Sequence, residues 1–291
     1  MAERLGFVGI GRMGSEMAKN MMAGGEDVIV FDIDEDRVAE LVDAGADSAE
    51  SVTELVDAAD IVFTSLPKNE TVEAVYFGDD GILESLTDGM AVVEMSTVKP
   101  ETVRRIQTDL EDRGLDVEVV DCPVIGIPST ARDAELTVLV GATEDGFERL
   151  RPSLDHIGTS IEHVGEPGRA KAIKLVNNVV TYGNYALAAE VFALAEQLEI
   201  GREELFEIID SGAAQSSILA SKLPNVLEGS FEPGFTVEGA LKDLEYALEL
   251  GHEERFELPV SEMVAGRYRY AIDRGHSEDD YSILMEALSE E

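Results

Sequence analysis

The feature that most constrains this chain is a glycine motif between a strand and a helix. The apolar run over residues 5–10 predicts a β-strand, and the helical pattern over residues 13–22 follows it. Between them Gly9, Gly11 and Gly14 form the pattern G-x-G-x-x-G, and Asp32 closes the next strand-like run about 20 residues further on. Glycine-rich turns are common, but this order of elements is specific. It predicts a strand-helix-strand unit that opens a parallel sheet.

Each position of the motif has a physical reason. Gly9 permits the tight turn, Gly11 lets the backbone approach a phosphate group, and Gly14 lets the helix and the strand pack closely. The helix N-terminus offers unpaired N–H groups and a partial positive charge. Together with the intervening Arg12 and Met13, these glycines predict a site for the pyrophosphate of a dinucleotide. The alternative is a plain strand-to-helix turn.

The residues after the second strand bear on which dinucleotide binds. The carboxylate of Asp32 can accept hydrogen bonds from the adenosine ribose hydroxyls. A 2′-phosphate would meet that carboxylate and the acidic residues at 34–36, and no basic residue stands between Asp32 and Arg37. The sequence therefore favours NAD as the cofactor. NADP stays open as an alternative, because Arg37 could reach a phosphate.

Short β-rich runs alternate with helical patterns through the first half of the chain. This alternation predicts a doubly wound, mostly parallel α/β sheet of the Rossmann type, which we place at residues 1–165. The predicted strands cover residues 5–10, 27–31, 61–66, 90–95, 117–120, 136–140 and 160–164. The predicted helices between them include residues 13–22, 35–44, 52–58 and 101–113.

The second half shows helical patterns and no convincing strand. Apolar residues recur at helical spacing from residue 169 to residue 198, and Gly201 supplies a stop. Further helices are predicted over residues 203–210, 236–250, 260–274 and 280–288. The turn-rich residues 165–168 mark the boundary. The sequence therefore predicts an all-α domain at residues 166–291, built on a long interdomain helix, with the active site in the cleft between the domains.

Charge excludes two classes of partner. The chain has 22 Lys and Arg against 61 Asp and Glu, for a formal net charge of −39. Such a surface repels nucleic acid and anionic membranes. Disorder is a poor explanation, because 44% of the residues are hydrophobic and their spacing is regular. The acids are spread over polar helix faces, so we interpret them as the solvated surface of a halophilic protein; the alternative is an acidic docking surface.

The cysteine content, the start of the chain and the lack of long apolar runs bear on where the protein is located. Cys122 is the only cysteine, which fits a reducing compartment. Since it stands within residues 121–124, we interpret it as a small buried packing residue rather than a nucleophile. The opening residues lead directly into a strand-like run and leave no room for a signal peptide. No apolar run reaches the roughly 18–20 residues of a membrane span. We therefore expect a cytoplasmic protein, and, since no metal-ligand spacing occurs, no metal site.

Several short motifs, spread in order over the whole chain, match a known family. They are residues 6–14 with residues 17–20, Leu66-Pro67, Ser96-Thr97 with Pro100, residues 121–124, Gly165 and Gly168, Lys174 with Asn177-Asn178, and Lys242-Asp243 after Phe235. Together they resemble the β-hydroxyacid dehydrogenase family, which includes 3-hydroxyisobutyrate dehydrogenase and tartronate semialdehyde reductase. The motifs are specific for the superfamily and much less so for a substrate.

The resemblance implies an NAD(P)-dependent oxidoreductase. Such an enzyme transfers a hydride between nicotinamide and a small β-hydroxy acid, such as 3-hydroxyisobutyrate, or its semialdehyde. The implied general acid/base is Lys174. The implied cofactor-binding residues beyond the glycine motif are Leu66, Pro67, Ser96, Thr97 and Lys242. The implied substrate-binding residues are Pro123, Val124, Ile125, Gly126, Asn177 and Asn178. Since family members associate through the helical domain, a homodimer or homotetramer is also implied.

Spacing supports the role of the lysine. Lys174, Asn177 and Asn178 lie at i, i+3 and i+4, so they share one face of a helix. Carbonyl reduction needs a proton donor at oxygen while the hydride arrives at carbon, and a partly desolvated lysine can shuttle that proton near neutral pH. Two asparagines within an apolar helix carry a propensity cost, which favours a functional reason. The alternative for Lys174 is a solvated surface lysine.

One segment departs from the family pattern. Where the family continues Ser-Gly-Gly after Pro-Val, this chain has Ile125, Gly126 and Ile127, so a hydroxyl is lost and bulk is added. The β-hydroxy acid therefore has two rivals. One is the same chemistry on a different keto, imine or phosphorylated substrate, such as a 6-phosphogluconate-like compound. The other is a non-catalytic dinucleotide-binding protein, which would have no need of Lys174 and Asn178.

Overall fold

The computed structural model describes residues 3–289, and the chain divides into two compact units between Lys174 and Leu175. The first unit holds a nine-stranded sheet. Its strands are β1 (Arg4–Val8), β2 (Asp27–Phe31), β3 (Asp47–Ser48), β4 (Ile61–Thr64), β5 (Ala91–Glu94), β6 (Glu118–Asp121), β7 (Val124–Ile125), β8 (Leu136–Gly141) and β9 (Gly158–Gly165).

The order of the strands confirms the predicted sheet type. Across the sheet the strands run β3-β2-β1-β4-β5-β6-β8-β7, with β9 also paired to β8. Strands β1 to β6 pair in parallel, whereas β8 runs antiparallel to β6 and β7 and parallel to β9. The chain winds outward in both directions from β1 and β4, as in a doubly wound Rossmann-type sheet. Ligands of such sheets bind outside the carboxyl ends of the strands, where the order reverses.

Apolar side chains cover both faces of this sheet. Phe7 and Phe63 belong to one buried cluster, and their chain neighbours Val8 and Val62 belong to another. Because successive strand residues point to opposite faces, the two clusters are cores on the two sides of the sheet. The helices of this unit are α1 (Gly14–Ala23), α2 (Glu35–Asp43), α3 (Val52–Ala58), α4 (Asn69–Phe77), α5 (Ile82–Ser85), α6 (Pro100–Arg113), α7 (Pro128–Arg132) and α8 (Glu144–Leu154).

The second unit is helical, as predicted. Its core holds four tyrosine rings, and Tyr281 meets both Tyr182 and Tyr185 edge-on at 5.4 Å between ring centroids. The helices are α9 (Arg169–Gln197), which begins in the first unit, α10 (Arg202–Asp210), α11 (Ser217–Glu228), α12 (Val237–Glu253), α13 (Pro259–Asp273), a 3₁₀ turn (Tyr281–Ile283) and α14 (Leu284–Ser289). Among residues 3–289 no helix combines the length and the apolar character that a membrane crossing requires.

The apolar residues whose spacing predicts the long helix lie on its exposed side. Val176, Val180, Leu187, Val191 and Leu194 have exposed fractions from 39% to 65%. We call these five residues the α9 apolar stripe. The buried side of the helix carries tyrosine, phenylalanine and alanine side chains instead. The apolar periodicity therefore predicted the helix correctly, but the side of the helix that carries the periodic residues is the exposed one.

Candidate active site

The glycine motif adopts the geometry that its sequence predicts. Gly9 follows β1 with a φ of +87°, and a methyl group there would lie 2.5 Å from the backbone oxygen of Ser65. A methyl group on Gly14 would overlap the backbone oxygen of Gly9. At Gly11 the nearest atom to such a methyl group is Nη1 of Arg37, 3.5 Å away. Two glycines are therefore fixed by close packing, and the third leaves open space above its backbone.

The start of α1 suits a pyrophosphate. Arg12 is exposed and Met13 half-buried, and Met13 supplies no side-chain cap to the helix N-terminus. The first turn thus keeps N–H groups and the positive end of the helix dipole for an anion. Together with the open backbone at Gly11, these residues fit the diphosphate of a nicotinamide dinucleotide.

Asp32 lies at the end of β2, beside the glycine motif. Its Oδ2 accepts the N–H of Ile10 at 2.8 Å, and its Oδ1 accepts the N–H of Asp34 at 3.0 Å. These bonds fix the carboxylate and leave further lone pairs for ribose hydroxyls. Ile33, beside it, is 93% exposed. Arg37 pairs with Asp34 at 3.1 Å, so its guanidinium is held close to the glycine motif.

The loops after β4 and β5 are joined directly. The N–H of Leu66 donates to Oγ of Ser96 at 2.8 Å. Pro67 and Thr97 are the next residues of these two loops. Because β4 and β5 are parallel neighbours, their carboxyl ends meet at the same edge of the sheet. The structure therefore brings together the two predicted cofactor motifs, which lie 30 residues apart in the chain.

A buried carboxylate at the end of β5, which sequence reasoning missed, organises these loops. Glu94 is 1% exposed, and its two oxygens accept the Thr64 hydroxyl and the Ser96 N–H, each at 2.5 Å. Burial raises the pKa of the Glu94 carboxyl, and the nearby Lys171 ammonium opposes that shift. The hydroxyl of Tyr76 lies 3.1 Å from that of Thr64. The sequence signal that could have revealed Glu94 is an acidic residue at the end of an otherwise apolar strand.

The predicted substrate segment begins with buried Pro123 and continues as β7, whose Ile125 pairs with Thr137 of β8. Val124 packs against the apolar core, so half-buried Ile125 points to the opposite face. Gly126 follows with a φ of +153°, and a methyl group there would overlap the Leu136 side chain. Glycine is thus favoured here by its backbone conformation, which residues with a side chain rarely adopt.

The residues after Gly126 include the candidate replacement hydroxyls. Ile127 is 41% exposed. Ser129 and Thr130 lie in the short helix α7, and Cβ of Thr130 lies 3.2 Å from the position that a methyl group on Gly126 would take. A hydroxyl-bearing side chain therefore stands next to the glycine, although the position after Val124 has lost one.

The predicted catalytic residues lie on α9. Lys174 is 9% exposed and Asn178 is 4% exposed, while Asn177 is half-buried. The turn before the helix needs glycine, because Gly165 and Gly168 have φ values of +115° and +89°. Because the Lys174 side chain is buried, the alternative that it is a solvated surface lysine is wrong.

Asp243, buried on α12, orients Asn178. Its Oδ2 accepts Nδ2 of Asn178 at 2.8 Å and the hydroxyl of Tyr182 at 3.1 Å, and Nζ of Lys242 lies 3.3 Å from its Oδ1. Burial raises the pKa of the Tyr182 hydroxyl well above its ordinary value, and Asp243 adds to this shift, so Tyr182 stays a donor. The sequence marked Lys242-Asp243 as a motif without assigning the aspartate a task.

Cys122 has no chemical role at this site. It is fully buried, and burial raises the pKa of its thiol to about 12, so no thiolate forms near neutral pH. Among residues 3–289 no group of three or more His, Cys, Asp and Glu side chains is placed to hold a metal ion.

Two family models cover the chain. The NAD-binding domain of 6-phosphogluconate dehydrogenase matches residues 4–165. The domain described as NAD-binding of NADP-dependent 3-hydroxyisobutyrate dehydrogenase matches residues 168–288.

Individual relatives match over nearly their whole length. A 2-(hydroxymethyl)glutarate dehydrogenase of Eubacterium barkeri is 35% identical, over 97% of this chain and 93% of the relative. An NAD-dependent L-serine dehydrogenase of Pseudomonas aeruginosa is 31% identical, over 97% of each. The solved structure of Mycobacterium tuberculosis 3-hydroxyisobutyrate dehydrogenase with L-serine has a TM-score of 0.89 at 28% identity, over 99% of both chains.

Proposed function

Because the chain belongs to the β-hydroxyacid dehydrogenase family and is thus an NAD(P)-dependent hydroxyacid dehydrogenase, we propose that its substrate is a small β-hydroxy acid such as 3-hydroxyisobutyrate, or the matching semialdehyde. The observation that carries this proposal is a buried lysine, Lys174, one helical turn before the oriented amide of Asn178. The names of the three relatives support it, because each compound named carries a hydroxyl on the carbon β to a carboxylate.

We assign the proton to Lys174. A nicotinamide dinucleotide held by the glycine motif and Asp32 would supply the hydride acceptor for oxidation of the acid at its carbinol carbon. The neutral amine of Lys174 takes the hydroxyl proton, so that a carbonyl forms, and the resulting ammonium returns it to oxygen in the reverse direction. The low exposure of Lys174 supports this role, because a proton-transfer group works best where water does not compete for the substrate.

Asn178 and its buried partner position the substrate. One amide N–H of Asn178 is taken by Asp243. The second N–H is then held in a fixed direction, as a donor for a substrate oxygen. Tyr182 and Lys242 hold Asp243 in turn. The arrangement therefore supports substrate binding by an amide that has few alternative rotamers.

A second candidate substrate class is favoured by Ile125 and Ile127. An apolar wall at this segment suits a keto, imine or phosphorylated compound whose recognition does not depend on a serine hydroxyl there. We favour the hydroxy acid because Thr130 and Ser129 stand close behind Gly126 as replacement donors. Absorbance of the reduced nicotinamide, followed with NAD and NADP across hydroxy acids, keto acids and imines, tests both classes.

The substitution Ile125→Ser separates the two classes. One hydrogen bond to a charged group is worth roughly 1.5–3 kcal/mol, so a missing serine would lower carboxylate binding by about 10–150-fold. If Ser129 or Thr130 replaces it, wild type turns over 3-hydroxyisobutyrate, and Ser129→Ala or Thr130→Val raises KM more than Ile125→Ser lowers it. Wild type that binds NAD yet is inert on every hydroxy acid tested would move the substrate to the second class.

From the composition we also propose a cytoplasmic location and a surface adapted to high salt. A single buried cysteine fits the reducing cytoplasm. A net charge of −39 fits a halophilic surface, since screening by salt relieves self-repulsion that loosens the fold at low ionic strength.

We also propose that the α9 apolar stripe binds a second copy of the chain. The first 21 residues of α9, residues 169–189, contain no Asp or Glu, in a chain with 61 of them. The acidic coat is thus absent around Val176, Val180 and Leu187, three of the five stripe residues, and exposed apolar surfaces of this kind mark interfaces. Val260 and Met263 of α13, 72% and 75% exposed, belong to the same unit. A stripe along a long helix can pair with the same stripe of a second copy about a two-fold axis.

The salt concentration and glutamates introduced into the stripe together test this interface. The melting temperature and the dimer fraction should both rise from low to molar KCl, because salt screens repulsion within and between chains. Leu187→Glu with Leu194→Glu should stay monomeric by sedimentation at every salt concentration, while its melting temperature still rises. Ile208→Glu, at an equally exposed position of α10, is the control and should dimerise. A salt-independent melting temperature contradicts the halophilic surface, and a dimeric double variant contradicts the interface.

A further inference from the structure

A second lysine, three residues before Lys174, is completely buried. The side chain of Lys171 and that of its partner Asp121 are each 0% exposed. Nζ of Lys171 lies 3.1 Å from Oδ1 of Asp121 and donates to the backbone oxygen of Glu94 at 2.6 Å. The backbone N–H of Lys171 donates to Oδ2 of the same aspartate at 2.9 Å. Both ends of this lysine are therefore bound to the sheet.

The partners of Lys171 stand at the carboxyl ends of two neighbouring strands. Glu94 ends β5 and Asp121 ends β6, shortly before Ser96-Thr97 and the predicted substrate segment that begins at Pro123. The Glu94 carboxylate in turn fixes the N–H of Ser96. One ammonium group thus ties the first turns of α9 to the two strand ends from which those segments start.

Stability alone is a weak reason for such a pair. Taking two charges out of water costs several kcal/mol per ion, and well-packed apolar residues of similar volume are often as stable or more so. What a buried ion pair supplies is a defined geometry. Lys171 and Lys174 are three residues apart on one helix, so they are neighbours on its surface.

We propose that Lys171 is a positioning residue: its ammonium clamps the first turns of α9 to the ends of β5 and β6 and so fixes the helix turn that carries Lys174. The inference rests on the proposed role of Lys174 as the proton carrier. Lys171 itself is no proton donor to substrate, because its ammonium is buried between Asp121 and the Glu94 carbonyl oxygen.

The test uses the full-length protein and a double variant. Lys171→Met alone leaves Asp121 charged and unpaired, so it should unfold at a lower temperature or not fold. Lys171→Met with Asp121→Asn removes both charges and should melt close to wild type. If Lys171 positions the lysine turn, kcat of the double variant still falls about 10²-fold, while KM for NAD(P) stays within a few fold.

A matched control is available in the second unit. Lys222 and Asp280 form another buried pair, with Nζ 2.8 Å from both carboxylate oxygens. Lys222→Met with Asp280→Asn should leave kcat unchanged, although it should lower the melting temperature because Asp280 also accepts the N–H groups of Gly234, Phe235 and Ser282. A double variant at Lys171 and Asp121 that regains both wild-type stability and wild-type kcat overturns the proposal, because the pair would then be structural only.

An activity-independent readout separates this inference from the proposed function. The chain has seven lysines, so [13Cε]lysine labelling gives a spectrum that substitution can assign. The Lys174 signal, identified by its loss in Lys174→Ala, should shift or broaden in the Lys171/Asp121 double variant and stay put in the Lys222/Asp280 control. An unchanged Lys174 signal contradicts the clamp. Normal turnover by Lys174→Ala contradicts the proton role and leaves the clamp to be decided by this spectrum.

Discussion

Replacing Lys174 with alanine should lower kcat by about 10²–10⁴-fold, the usual contribution of general acid–base catalysis. The loss follows because no other group is assigned to move the proton at the substrate oxygen. Affinity for the nicotinamide dinucleotide should stay within a few fold, since the glycine motif and Asp32 lie on other elements. Steady-state kinetics on the best hydroxy acid and fluorescence titration of the reduced cofactor measure the two quantities.

Lys174→Arg sharpens this test. Arginine keeps the positive charge and most of the length, but it does not deprotonate in proteins, so it cannot act as a base. It should therefore lose nearly as much kcat as alanine does. Lys19→Ala, which removes a half-buried lysine of α1 that pairs with Glu16 and Glu40, is the control and should keep full turnover. Near-normal kcat in Lys174→Ala or Lys174→Arg would remove Lys174 as the proton carrier.

The parts of the fold that the sequence predicts well are those with a strong local pattern. Strand β2 and helix α3 match their predicted bounds, because an apolar run and a capped amphipathic helix carry their own signals. The sequence patterns did not predict helices α8 and α11. Each contains a proline inside the helix, Pro152 and Pro224, which the rules for single sequences treat as a helix end. Here tertiary packing outweighs that local signal.

In the candidate site, too, residues with a local sequence signal were predicted and contacts between distant residues were not. Lys174 and Asn178 are predicted from the family resemblance, and their spacing within about one turn of one helix supports that prediction. Asp243, which orients Asn178 from 65 residues away, has no local signal of that contact. The pairing of Lys171 with Asp121 across 50 residues is likewise created by the sheet order. Long-range pairs of this kind are set by topology, which a single sequence does not display.

Wild-type enzyme should prefer NAD over NADP in kcat/KM by at least about tenfold. A phosphate placed 4 Å from a carboxylate is repelled by about 1 kcal/mol even at the dielectric constant of water, and by more at a protein surface. Asp32 is held in place by the N–H groups of Ile10 and Asp34, so it cannot swing away from a 2′-phosphate. Kinetics with both cofactors at fixed substrate measure the ratio.

The double substitution Asp32→Asn with Ile33→Arg should narrow that ratio. Asparagine keeps an oxygen for the Ile10 N–H while removing the charge, and the 93% exposure of Ile33 leaves room for an arginine that pairs with phosphate. Arg37→Gln is the informative companion. Because Arg37 lies beside Gly11, its loss should reduce turnover with NADP and leave turnover with NAD unchanged. If wild type instead prefers NADP and Arg37→Gln reverses the preference, the guanidinium outweighs Asp32 and the assignment of NAD is wrong.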